Sequence, residues 1–135
     1  MVYIREFTEH DCTGLVEILR LNGQYGHPDI EGPAAMCRVS RCEAAVFLVA
    51  EVDGEVKGMI RAVYDGARAL IHLVSVHPSV QGRGIGRDLV AAAEAELARR
   101  GAPGATVTAG NKSRGFWERL GFRTLPVELM LKEKW

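Results

Sequence analysis

The sequence has no surplus of charge. Its 17 lysines and arginines are matched by 17 aspartates and glutamates, for a formal net charge of zero. That argues against broad electrostatic affinity for nucleic acid or an anionic membrane, so any anion-binding site must be local. No apolar run approaches the length that crosses a bilayer, and the first residues do not read as a signal peptide. Cysteine is scarce: Cys12, Cys37 and Cys42 are odd in number and lack metal-ligand spacing. Reduced thiols in a cytoplasm and no metal site are the expectation. Repeats, linkers and low-complexity tracts are also missing. What remains is an ordinary globular composition, 47% hydrophobic and 25% charged in 135 residues. It predicts one domain over residues 1–135 with an adequate core.

The most informative stretch is residues 74–86, Val-Ser-Val-His-Pro-Ser-Val-Gln-Gly-Arg-Gly-Ile-Gly. It opens as a β-branched run suited to a buried strand. His77 and Pro78 end that strand, because proline has no N–H to give to a ladder. Gly82, Gly84 and Gly86 alternate, and Ile85, Leu89, Ala92, Ala93 and Leu97 then repeat at helical spacing. A strand, a glycine-rich turn and a helix start make an anion site. Unpaired first-turn N–H groups point outward, the helix dipole favours negative charge, and glycine lets a phosphate approach. Two familiar phosphate loops do not fit. No Lys-Ser/Thr follows the glycines, and the sixth position counted from Gly82 is Arg87 rather than glycine.

Around this centre the chain reads in order. Residues 2–7 alternate as a first strand. Thr8 and Asp11 resemble a capping box for a helix whose face is Cys12, Leu15, Val16 and Leu19. Residues 22–32 are rich in breakers and carry Gln24, Tyr25, His27 and Asp29; they form a polar surface loop or the lip of a site. Pro33 suits the first position of a second helix, with Met36, Val39 and Cys37 facing inward. Strands over 45–51, 56–64 and 68–76, joined at Asp53-Gly54 and Asp65-Gly66, predict an antiparallel meander. The long helix runs to about Arg100, where Gly101 and Pro103 stop it. A short strand over 105–109, a helix over 112–120 and two last strand pieces over 122–132, broken near Pro126, complete the order β-α-α-β-β-β-α-β-α-β-β.

Gln81, Gly84 and Gly86 satisfy Gln/Arg-x-x-Gly-x-Gly/Ala, directly after Val76-His77-Pro78. With Asn111 and the segment Phe116-Trp117-x-x-Leu120-Gly121-Phe122, this resembles the GNAT superfamily, the Gcn5-related N-acetyltransferases, over nearly the full length. The Tyr64-Asp65-Gly66 turn is similar to that of small single-domain bacterial and archaeal members. The resemblance implies an α/β (α+β) GNAT fold: a mixed, mostly antiparallel sheet of about six to seven strands with about four helices, splayed where acetyl-CoA binds. It implies acetyl-CoA as co-substrate. The N–H groups of Gly82, Arg83, Gly84, Ile85, Gly86 and Arg87, next to Gln81, would cradle the pyrophosphate. Arg83 and Arg87 either add charge there or are ordinary solvated residues. The edge of Val74, Ser75 and Val76 would pair with the pantetheine amides. Asn111 either contacts the cofactor or caps the following helix. Tyr25, His27 and Tyr64 are the expected acceptor contacts.

The chemistry is acyl transfer to an amine. An alkyl amine, with a pKa of about 10.4, must first lose a proton, while a thiol of pKa about 8.5 leaves more readily. The resemblance gives the developing oxyanion a backbone donor, the Val76 N–H. Residues 70–76 lack the family's usual carboxylate. His72, their only titratable side chain, shares strand parity with Val74 and Val76; it is a candidate base or a packed histidine. The family's usual acidic tyrosine is replaced by Trp117, which cannot serve as a practical acid. Trp117 then packs in the core or on the cofactor arm. Tyr64, Tyr25, Ser113 or water could protonate the thiolate, or it leaves unassisted. The expected activity is cytoplasmic acetyl transfer, by direct attack in a ternary complex, to a primary amine of a small molecule or a protein N-terminus. No nucleic-acid or membrane partner is expected, and the terminal strands offer a homodimer contact. The rival is a catalytically weak GNAT-fold module that binds CoA as a sensor or partner.

Overall fold

Alternating and β-branched runs build the sheet on which the molecule is organised. A computed structural model describes residues 1–134. The strands are β1 (Val2–Glu6), β2 (Ala45–Val52), β3 (Glu55–Tyr64), β4 (Ala69–Val76) and β5 (Thr106–Val107). They lie in the order β1-β2-β3-β4-β5, antiparallel except for β5, which runs parallel to β4. The β2–β3 turn places both Asp53 (φ 52°) and Gly54 (φ 84°) in the left-handed region, as a tight hairpin requires.

Five α-helical segments are described: α1 (Cys12–Leu21), α2 (Pro28–Glu31), α3 (Pro33–Ser40), α4 (Ile85–Arg99) and α5 (Arg114–Arg119). Four were expected; the fifth, α2, is a single turn with Pro28 at its start. The helices cover both sheet faces. Ile60, Ala62 and Ile71 pack with Ile85, Leu89 and Trp117 from α4 and α5. On the other face, Phe47, Val49 and Met59 pack with Leu15, Ile18 and Leu19 of α1 and Met36 of α3. Arg5 ties β1 to the start of α1, donating to both carboxylate oxygens of the buried Asp11 at 2.8 Å and to Glu51 at 2.8 Å. None of these helices is long and apolar enough to cross a membrane.

Two irregularities shape the site. The β3–β4 register shifts between Arg61 and Ala62: Arg61 faces Leu73 while Ala62 faces Ile71, so His72 is the extra residue of a β-bulge. Ile71 and Val74 consequently both pack in the α4 cluster although they are three positions apart. The alternation expected to place His72 on the face of Val74 and Val76 is therefore broken at His72 itself. Second, β5 pairs with β4 only at Leu70 and Ile71. Past that point the two strands part, and the rest of the β4 edge opens onto a gap.

The C-terminal expectation is corrected. Residues 122–134 form no strand, β5 is two residues rather than the five expected over 105–109, and the sheet has five strands rather than six or seven. Pro126 interrupts any ladder in the segment. Val127, Leu129, Met130 and Leu131 lie exposed instead of covering a sheet face.

Candidate active site

The hydrogen-bond parity of β4 fixes what its edge offers. The His77 N–H donates to the Lys57 carbonyl at 2.7 Å. In an antiparallel pair, alternate residues face the partner, so the main-chain groups of Val74 and Val76 point away from β3 into the gap. The glycine turn lies directly beyond. Gly82 (φ 79°) and Gly84 (φ 83°) hold left-handed backbone, and Gly84 is the N-cap of α4. A Cβ on Gly82 would project into open space, and one on Gly86 would crowd the Phe116 ring at 3.2 Å. The first-turn amides of a 15-residue helix thus open onto the same gap as the strand edge.

A cleft of about 1000 Å³ runs between the β4 edge, this turn, the end of β5 and α5. It brings together most of the residues expected from the sequence: His72, Val74, Ser75, Val76, Gln81, Gly82, Gly84, Ile85, Gly86, Arg87 and Trp117. Arg83 and Asn111 are not among its lining residues, although Gly110, Lys112 and Ser113 are. Asn111 is not the helix cap either, since α5 begins at Arg114 with Ser113 before it. Trp117 is buried, edge-on to Phe116 at 5.0 Å and to Phe122 at 5.2 Å, so it is a core residue with one side toward the cleft wall.

The expected acceptor residues lie elsewhere. Tyr64 faces Ala69 at the far end of the sheet, and its hydroxyl donates to the Gly66 carbonyl at 3.1 Å. At about 3.3 Å per strand residue, this is roughly 20 Å from Val76. Tyr25 lines a separate hollow with Thr13, Val16 and Arg20, whose guanidinium lies 5.0 Å from the ring centroid. His27 sits exposed at the N-terminus of α2.

From the loop after α1, the cleft receives Asn22 and Gln24 instead. Asn22 Nδ2 donates to Ser75 Oγ at 2.7 Å and to the Val76 carbonyl at 2.9 Å. Ser75 Oγ donates to Gln24 Oε1 at 2.6 Å. Gln81 Nε2 donates to the Val76 carbonyl at 2.8 Å and to Asn22 Oδ1 at 3.2 Å. No local signal marks Asn22: its partners are more than fifty residues away, and an asparagine beside Gly23 reads as a helix end.

His72 is exposed on the cleft wall. Its surroundings still remove enough water to push the imidazole pKa below its ordinary value, and the nearby Arg61 cation pushes the same way. Arg61 is buried on β3. It donates to the Ile30 carbonyl at 3.2 Å, pairs with Glu31 at 3.4 Å and lies over the Phe47 ring, so it pins α2 to the sheet.

A β4 edge that no strand pairs and a left-handed glycine turn at the start of α4 thus open on one cleft. The model of the acetyltransferase (GNAT) family matches residues 12–122, and the chain belongs to that family. Solved structures agree with this architecture. A transcriptional regulator from Bacillus halodurans C-125 is 27% identical with a TM-score of 0.82, covering 98% of this chain and 100% of its own. The PaiA N-acetyltransferase from Thermoplasma acidophilum, in complex with coenzyme A, is 18% identical with a TM-score of 0.83, covering 95% and 93%. Glucosamine-6-phosphate N-acetyltransferase from Arabidopsis thaliana is 15% identical with a TM-score of 0.77, covering 99% of each chain.

Proposed function

We propose that the chain is an acetyl-CoA-dependent N-acetyltransferase that acetylates a primary amine of a small molecule or a protein N-terminus. One observation carries this reading: the outer edge of β4 from Val74 to Val76, which no strand pairs, lies beside the left-handed glycine turn at the start of α4, on one continuous cleft. The residues fit the coenzyme. Amides in residues 82–87 suit a pyrophosphate, the strand edge suits an amide-bearing arm, and Arg87 adds positive charge at the turn. Bound acetyl-CoA supplies the activated acyl group.

The chain's own groups then do three things. The cradle and edge hold the thioester for direct attack, so proximity supplies much of the rate. The Val76 N–H, facing the gap, meets the acetyl oxygen as it gains charge. His72, neutral near pH 7, accepts the amine proton directly or through a water. The departing thiolate has the lesser need of help and leaves unassisted or takes its proton from water, because the Ser113 hydroxyl on the cleft wall already donates to the Gly110 carbonyl at 3.1 Å. The amino-sugar enzyme of the same fold supports a small amine acceptor.

Calorimetry with acetyl-CoA and CoA, followed by thiol-release assays on a panel of amines, tests the reading. Binding plus turnover of one amine supports it. Absence of binding to either form of the coenzyme overturns it. Binding without turnover on a broad panel supports the second reading, a CoA-responsive module. That reading is favoured by the absence of a carboxylate in residues 70–76 and by a regulator among the similar folds.

A further inference from the structure

All three side-chain hydrogen bonds of Asn22 leave its own helix. Its backbone N–H already closes α1 by donating to the Ile18 carbonyl at 3.0 Å. The carboxamide reaches over to β4, where its two N–H donors are divided between Ser75 Oγ (2.7 Å) and the Val76 carbonyl (2.9 Å). Its oxygen accepts from Gln81, the residue that opens the glycine turn, at 3.2 Å. The amide's orientation follows from these partners. Ser75 Oγ spends its own hydrogen on Gln24 at 2.6 Å and can only accept from Asn22, and a flipped amide would set Oδ1 against the Val76 carbonyl.

The two atoms that Asn22 holds lie on either side of one peptide group. Ser75 Oγ precedes, and the Val76 carbonyl follows, the N–H of Val76. That carbonyl also accepts from Gln81 at 2.8 Å, so both of its lone pairs are engaged. The peptide cannot turn without breaking bonds at a serine that is only 4% exposed. We infer that Asn22 is a positioning residue of the transfer site: it brackets the peptide joining Ser75 to Val76 and fixes the angle at which that N–H meets the acetyl oxygen. The inference rests on the proposed acetyl-CoA chemistry, but it concerns a residue that touches neither the phosphate turn's amides nor His72.

Asn22→Asp tests it, because the side chain keeps its shape and loses both donors. Two measurements on the whole chain are needed, and neither requires the acceptor. Calorimetry gives acetyl-CoA affinity, which is expected to stay within about threefold of wild type because the aspartate still accepts from Gln81 and the turn's amides do not contact position 22. Infrared difference spectra of bound acetyl-CoA, carbon-13-labelled at the acetyl carbonyl, report the hydrogen bond to that oxygen. The wild-type band is expected below its position in free acetyl-CoA, and the variant's band is expected to return toward the free position. An identical band in both proteins overturns the assignment of Asn22, as does a loss confined to affinity. No binding by the wild-type chain instead overturns the coenzyme reading, so the two failures are distinguishable. Asn22→Ala removes both donors without adding charge at the end of α1, and its band decides the question if the aspartate variant does not fold.

Discussion

In the proposed mechanism His72 sets the pH dependence of transfer. Desolvation, then the Arg61 charge, lowers its pKa from the ordinary value of about 6.5, so the neutral, proton-accepting form dominates at pH 7. The acidic limb of the kcat/KM profile is therefore expected below pH 6.5. His72→Ala should remove that limb and cost about a hundredfold in kcat, with little change in acetyl-CoA affinity. A variant that keeps the limb rules the histidine out as base. Asp11 tests stability in the same way. Burial raises its pKa, but the hydrogen bonds from Arg5 and from the Thr8 N–H more than offset this, and the carboxyl lies below its ordinary value. A group whose folded pKa is depressed stabilises the fold above its unfolded pKa of about 3.9, and that contribution is lost as pH falls through the folded value. Asp11→Asn is expected to cost about 2 kcal/mol at pH 7 and to flatten the acid limb of melting temperature against pH. An unaltered limb would mean the carboxylate carries none of it.

At the scale of elements, the glycine turn makes the sharpest claim. Valine at position 84 must take φ near +83°, which costs about 1–2 kcal/mol. Its Cβ would also meet the far end of the Arg87 side chain at 2.8 Å, which can swing away. Gly84→Val is thus expected to fold, to melt a few degrees lower and to lose at least about tenfold in coenzyme affinity by calorimetry. Unchanged affinity would remove the turn from the site. This turn was legible in the sequence because its signals are local: β-branched residues, then glycines needed for positive φ, then helical spacing. The Asp-Gly turns gave the β2–β3–β4 meander for the same reason. Features that arise only between elements were not legible. The bulge at His72 comes from pairing with β3, which alternation along β4 alone cannot show. Asn22 and Gln24 reach β4 from the end of α1, and Tyr64 lies too far along its strand to meet Val76. The terminal residues carry a strand pattern, but a strand also needs an edge, and β5 offers only two residues.

The whole molecule combines zero net charge, a pI near 6.9 and a terminal segment that leaves large side chains in water. Leu125 is 41% exposed, and Val127, Leu129, Met130 and Leu131 range from 75% to 87%. Each such side chain gains about 1.5–3 kcal/mol on full burial, and near neutral pH no net charge opposes contact between copies. The chain is therefore expected to associate with rising concentration at pH 7, as read by sedimentation or light scattering, and to associate less at pH 9, where its net charge is negative. Leu129→Glu with Leu131→Glu should keep it monomeric at both. The melting temperature of the dilute protein should barely move, because these side chains bury little within their own chain. Acetyl-CoA affinity should also hold, since among the described residues none past Leu120 lines the cleft. A wild-type chain that stays monomeric at high concentration and pH 7, or a double variant that melts well below it, would show that the terminal segment is covered by its own molecule.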